Sequence, residues 1–347
     1  MAARNAGSGP QAVLRFPPPP PPPHAGVAPV FPFPAAPSHV AAFPLVAPVR
    51  LPPPPFAGVP YYGGAVPGRA VAAPPTVNVQ MRSVTAGNFI AEVDLIGSFL
   101  PSFPFVAVDT EYPGAVHRPP AGARDSQLTP DERYALVKAN VDELPIVQLG
   151  VTLCDAHGNL PLGVDGRGHT VGLAWEVNFS DFDVHGDRHV PESVAFLRSQ
   201  GVDFDLARAH GVSSGAFMER LAGVLPAAQR RGDLTWAAFG GAYDFGYLLK
   251  MLTGGQPLPE TRQEFVEQVR AHLGGRVFDA KYMAEHCGRA DLCGVGLKRV
   301  ADSLGVQRHF PEPPCLAGPK SLTASRIHTA IRRRVGDSHQ GLIDGLQ

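Results

Sequence analysis

The sequence predicts an α/β domain behind a long proline-rich tail, and three observations carry that reading. Residues 105–108, Phe-Val-Ala-Val, form a short unbroken apolar run of the kind found in a strand buried on both faces. Further β-rich runs occupy 146–154, 173–179 and 234–239. Around them, 88–100, 191–200, 213–231 and 260–273 place apolar residues at helical spacing.

The tail is set apart by composition. Of 38 prolines, 22 precede residue 76, and no Asp or Glu occurs before Glu92. The first ninety residues carry five arginines and no lysine, so this stretch is +5 and the remainder −6, a split concealed by the net charge of −1. Proline runs at 17–23 and 52–55 supply no ladder donors and favour an extended polyproline conformation, so residues 1–80 are expected to be disordered and 84–347 folded. Prolines also interrupt the apolar parts of the tail too often for a spanning helix of about 20 residues, and no membrane segment is expected. The scarcity of acidic residues leaves an organelle-targeting role open, and proline-rich tails also suit aromatic-lined grooves of partner modules. Cys154, Cys287, Cys293 and Cys315 contain no C-x-x-C pair, which argues against a disulfide framework or a structural zinc site.

In the folded part, 88–100 reads as a helix with Asn88 as N-cap. The apolar strand follows and ends in Asp109-Thr110-Glu111, after which Pro113-Gly114 stops it. A loop is expected at 119–126, and Thr129-Pro130-Asp131-Glu132 has the signature of a helix start. The runs at 146–154 and 173–179 then add strands, so that the first three strands read as consecutive members of one sheet. Helices dominate the second half. The strand at 234–239 leads into GGAYDFGYLLKML, a helix with Asp244 in its first turn.

Asp109 and Glu111 stand two apart, so in an extended chain both side chains project to one side. Two hard anionic ligands on one face suit Mg²⁺ or Mn²⁺, although a D-x-E is also an ordinary polar end to a strand. Asp244 heads a helix that follows a strand of the same sheet, which allows it to converge on the same ion; alone, it is equally an N-terminal helix charge.

The segments FVAVDTEYPG, NVDELPIVQLGVTL, WEVNFSDFD, FGGAYDFGYLLKMLTG, FDAKYMAEHC and GLKRVADSLGVQR resemble, in order and spacing, the Caf/Pop deadenylase family, the poly(A)-specific ribonuclease subunit of the carbon catabolite repressor-NOT complex. The resemblance covers 84–347. It implies a ribonuclease H-like exonuclease fold, a mixed sheet flanked by helices, with four acidic ligands for two Mg²⁺ or Mn²⁺ ions. It also implies 3′–5′ shortening of mRNA poly(A) tails, partnership with the scaffold and nuclease subunits of that complex, and residence in cytoplasm and nucleus. By motif position Asp109 would bridge the ions, Glu111 would assist one and Asp244 would hold the second, with a nearby His acting on the attacking water. The tail base would lie in an apolar groove beside them.

The last acidic motif departs from the family's H-Q-A-G-S-D-S-L-L-T. In the matching CLAGPKSLTAS, Cys315 falls on the His and Lys320 on the Asp, so a cation replaces an anion. His339 and Asp344 are also five apart, but GLIDGLQ fits the family's end segment instead. Tyr112 stands for the usual Phe and Gly240 for a common His. Arg332, Arg333 and Arg334 suit RNA phosphates, a nuclear signal or a solvated helix end, and 310–314, Phe-Pro-Glu-Pro-Pro, forms an unusual bridge. Two functions follow from the sequence: an RNA exonuclease, or a catalytically impaired paralogue that binds RNA or scaffold. Lys320 separates them.

Overall fold

The computed structural model describes residues 78–119, 127–229, 234–306 and 315–347. The expected disordered tail, except for its last few residues, lies outside these, as do the loop at 120–126 and the 310–314 bridge. Among the described residues one mixed sheet of seven strands forms the centre of the domain. Its strands are β1 (Val79–Val84), β2 (Phe105–Glu111), β3 (Gln148–Cys154), β4 (Leu162–Val164), β5 (Thr170–Asn178), β6 (Leu234–Ala238) and β7 (Gly275–Asp279). The order is β1-β5-β3-β2-β6-β7, with β4 paired to β5. Strand β2 runs antiparallel to β3 and parallel to β6, so the strand that ends in two carboxylates lies in mid-sheet. Central position explains its composition, since all seven of its residues are buried.

The expected chain of neighbours β2, β3 and β5 is therefore present, with shifts at the ends. β3 begins at Gln148 rather than 146, and β5 starts at Thr170. The sheet also begins earlier than position 84. Val79–Val84 pairs in parallel with β5 at the edge and is mostly half-buried, so its sequence lacks the apolar run that marks a central strand.

Helix α1 (Phe89–Phe99) lies where expected, but Asn88 does not cap it through its side chain. The Asn88 Oδ1 accepts from the Thr85 N–H at 2.8 Å and its Nδ2 donates to the Ser83 carbonyl, fastening the turn between β1 and α1 instead. Helix α2 (Pro130–Glu143) opens with a full capping box: Thr129 and Glu132 each satisfy the other's backbone N–H. Helices α3 (Pro191–Ser199), α4 (Phe204–His210), α5 (Ser214–Gln229), α6 (Ala242–Leu252) and α7 (Arg262–Leu273) follow, then α8 (Ala280–His286) and α9 (Leu297–Ser303). The last helix, α10 (Ala317–Val335), packs on β2 and β3. All four cysteines are free thiols. No helix of the described residues is long and apolar enough to cross a membrane.

Gly150 decides how closely α10 approaches the sheet. A Cβ at this position would lie 1.9 Å from the Ala317 carbonyl oxygen, so only glycine lets the first turn of α10 rest on β3. That approach brings Lys320 over the end of β2. Within the same helix, Arg332 lies over the Phe105 ring and pairs with Asp337, while Arg333 donates to the His157 carbonyl.

Also on α10, His328 is 2% exposed between the rings of Phe105 and Phe278, with Nε2 unpaired. Burial lowers its pKa from the usual 6.5 to about 4, with Arg332 and Arg276 adding to the shift and Asp337 opposing it. The folded chain thus refuses a proton that the unfolded chain accepts near pH 6.5. Stability present above pH 6.5 is lost as pH falls towards 4, at about 1.4 kcal/mol per pH unit and ~3 kcal/mol in total. His328→Phe should remove this loss: melting temperatures of the two proteins, measured from pH 7.5 to 4.5, should diverge steadily below pH 6.5. Parallel curves would show that His328 is not the group responsible.

Candidate active site

The end of β2 opens into a cleft of about 510 Å³, lined in part by Asp109, Glu111, Tyr112, Phe196, Asp244 and Lys320. The sheet supplies the first two carboxylates from alternate positions of one strand, opposite Gly150 and Gln148 of β3. Asp244 arrives from the first turn of α6, which follows the neighbouring strand β6. All three predicted carboxylates are thus brought together, as extended-chain geometry and helix position implied.

Asp244 is fixed by a residue that sequence reasoning passed over. Its Oδ1 accepts from the Thr110 N–H at 2.7 Å and from the Thr110 hydroxyl at 2.6 Å. Burial pushes its pKa up to about 7, against the opposing pull of these two bonds and of Lys320. Asp109 is held well above the ordinary carboxylate range, chiefly by burial, with the neighbouring Asp244 and Glu111 adding to it and Lys320 opposing. Glu111 is raised by burial too.

Lys320 enters this cluster as a side chain of α10. Its ammonium lies 2.7 Å from Glu111 Oε1 and 3.6 Å from Asp109 Oδ2. Apart from the ammonium, those two buried oxygens have no polar partner among the described residues. Burial pulls the Lys320 pKa down, but Asp109 and Glu111 more than reverse this, holding it above the usual lysine range. A cation within the first turns of a helix faces the positive end of the helix dipole, so its own helix does not favour it. The carboxylates on β2 do. At the same helix start, Glu176 accepts the Gly318 N–H at 3.1 Å, and the Ser321 hydroxyl pairs with that of Thr152 at 2.8 Å.

The donor set therefore does not fit a divalent ion as the residues now stand. Two of the three predicted ligands already hold an ammonium, and among the described residues no group of three or more His, Cys, Asp or Glu side chains is placed to hold a metal. Cys315 lies just before α10, its N–H bonded to Gln200 Oε1 at 2.9 Å, and near enough to Lys320 for charge to be felt between them. Asp344 and His339 do not line the cleft. Asp344 pairs with Lys281 at 2.7 Å, and the His339 ring packs against Tyr282 and His286. Gly240 adopts a left-handed φ of +70° and donates its N–H to Asp279, a turn that suits glycine better than the family's His.

Sequence reasoning expected an apolar groove and named Tyr112, but missed Tyr243 and Phe196 as its other aromatics. Tyr112 stacks on Tyr243 with ring centroids 4.8 Å apart, and Phe196 lines the cleft from α3 while 49% exposed. The period of α3 identifies its buried face, and the signal for Phe196 is an aromatic placed off that face.

A mixed sheet flanked by helices, with acidic side chains gathered at the end of its central strand, is the ribonuclease H-like exonuclease fold that the sequence resemblance implies. A family model described as CAF1 family ribonuclease matches residues 84–220. Probable CCR4-associated factor 1 homolog 7 of Arabidopsis thaliana is 37% identical over 234 residues, covering 67% of this chain and 79% of the relative. Poly(A) ribonuclease pop2 of Schizosaccharomyces pombe is 34% identical over 257 residues, 74% of this chain and 70% of that protein. The solved structure of S. pombe Pop2p in its Mg²⁺- and Mn²⁺-bound form superimposes with a TM-score of 0.63 at 32% identity, over 77% of this chain and 99% of that one. This chain belongs to the CAF1 family of ribonucleases. The S. pombe relative carries the divalent ions that the sequence resemblance implies for the family.

Proposed function

We propose that this chain binds the 3′ end of single-stranded, adenosine-rich RNA in the cleft between Asp109 and Phe196, with most of the family's 3′–5′ exoribonuclease turnover lost. One observation carries the reading: the Lys320 ammonium, 2.7 Å from Glu111, sits among the carboxylates that two-metal hydrolysis of a poly(A) tail requires. The cleft keeps what binding needs. Phe196 offers an exposed π-face, Tyr112 and Tyr243 form an aromatic floor, and Glu192 and Ser193 bring polar groups to the same wall. Stacking on an aromatic side chain contributes about 1–3 kcal/mol per base. The name of the Arabidopsis relative, a CCR4-associated factor, supports a place for this chain beside the nuclease subunit of the carbon catabolite repressor-NOT complex; association with its scaffold and residence in cytoplasm and nucleus belong to the same proposal.

Titration of the full chain with oligoadenylate and with a mixed-sequence oligonucleotide of equal length, at one stated salt concentration, tests the substrate class. Tighter binding to oligoadenylate is expected, weakened roughly tenfold by Phe196→Ala. Equal affinity for the two oligonucleotides would overturn the substrate assignment and leave the family and fold intact.

A further inference from the structure

We infer that Lys320 is the resident cation of the carboxylate cluster, so that the native chain takes up no divalent ion there and its fold is independent of metal. This goes beyond the proposed function, because it concerns what neutralises the site rather than what the site does to RNA. Asp109 and Glu111 are buried at the end of a strand flanked on both sides, and their partnerless oxygens both face Lys320 Nζ. Buried carboxylates need a counter-charge within a few ångströms, and a divalent ion and an ammonium on the same oxygens exclude each other by volume and by repulsion. The ammonium has the advantage of being tethered. Gly150 seats α10 on β3, the Gly318 N–H bonds to Glu176, and the Ser321–Thr152 contact fixes the turn that carries Lys320.

Removing the lysine side chain orphans two buried carboxylates, Asp109 and Glu111, and gives them room to turn together towards a hard divalent ion such as Mg²⁺ or Mn²⁺. Lys320→Ala should therefore be destabilised in EDTA and recover with Mn²⁺, turning a metal-independent fold into a metal-dependent one.

The test is thermal melting of the full-length native chain and of Lys320→Ala, each in EDTA and in MnCl₂, with free Mn²⁺ followed in parallel by its paramagnetic resonance signal. For the native chain the two melting curves should coincide and the Mn²⁺ signal should remain that of free ion. For Lys320→Ala, Mn²⁺ at about 100 times its Kd should raise the melting temperature by roughly 5–10 °C, and Asp109→Asn in that background should cancel the rise. If Lys320→Ala does not fold, the native chain alone decides. Mn²⁺ taken up by the native protein and lost on Asp109→Asn would overturn the inference, as would a folded Lys320→Ala whose melting temperature ignores Mn²⁺. RNA affinity enters none of these readouts, so failure here and failure of the RNA-binding proposal are distinguishable.

Discussion

Converting Cys315 to His and Lys320 to Asp together should raise adenylate release from an oligoadenylate 3′ end, in Mg²⁺ or Mn²⁺, by at least about 10²-fold over the native chain. Two separate deficits are repaired. Lys320→Asp changes the cleft by two charges, removing the ammonium from Glu111 and Asp109 and adding a carboxylate on the same turn of α10. Cys315→His supplies a base whose ordinary pKa of about 6.5 lies near neutrality. General-base losses alone run to ~10²–10⁴-fold, so the single reversions should each fall well short of the pair. Asp109→Ala in the reverted background should abolish the gain, because it removes the carboxylate at the centre of the cluster. Native turnover equal to that of the double reversion, and abolished by Asp109→Ala, would show that another residue completes the site. Asp344 is poorly placed for that role, being paired with Lys281.

The largest loss of stability is expected from one methyl group at Gly150. Gly150→Ala puts a Cβ 1.9 Å from the backbone oxygen of Ala317 and 2.3 Å from its carbonyl carbon, and backbone cannot rotate away as a side chain would. Helix α10 must then lift from β3, loosening the Ser321–Thr152 contact and the reach of Lys320 to Glu111. Overpacking of this kind costs about 3 kcal/mol or more, a drop of roughly 6–12 °C for a domain of this size. Gly166→Ala, where an added Cβ meets nothing within 4 Å, is the matched control and should melt close to the native chain. A Gly150→Ala protein that melts with the control would mean that α10 does not press on β3 in solution.

Strands β2, β3, β5 and β6 and helices α1, α2, α3, α5, α6 and α7 were legible because their signals are local, whereas the short strands β4 and β7 and the helix α10 were not read. An unbroken apolar run marks β2, since a strand in mid-sheet has no wet face, and Thr129-Pro130-Asp131-Glu132 marks α2, since the orphan N–H groups of a first turn need those partners. Edge strand β1 went unread, with only its first two residues inside the stretch assigned to the tail, because half-buried residues carry no strong pattern. Asn88 read as a cap because capping and turn-bonding use the same side-chain oxygen, and only the fold of the preceding turn chose between them.

At the site the sequence by itself determined the three carboxylates: period two on β2 sets Asp109 beside Glu111, and the first turn of α6 carries Asp244. It also determined that Lys320 stands where the family has an acid. Tertiary structure alone decided what that lysine does. Its partners lie more than two hundred positions earlier in the chain, and the contact exists because Gly150 allows one helix to approach one strand. A flexible lysine stem at a looser crossing would carry its charge into water. Held 2.7 Å from Glu111, beside carboxylates that are themselves buried, the same residue becomes their counter-ion.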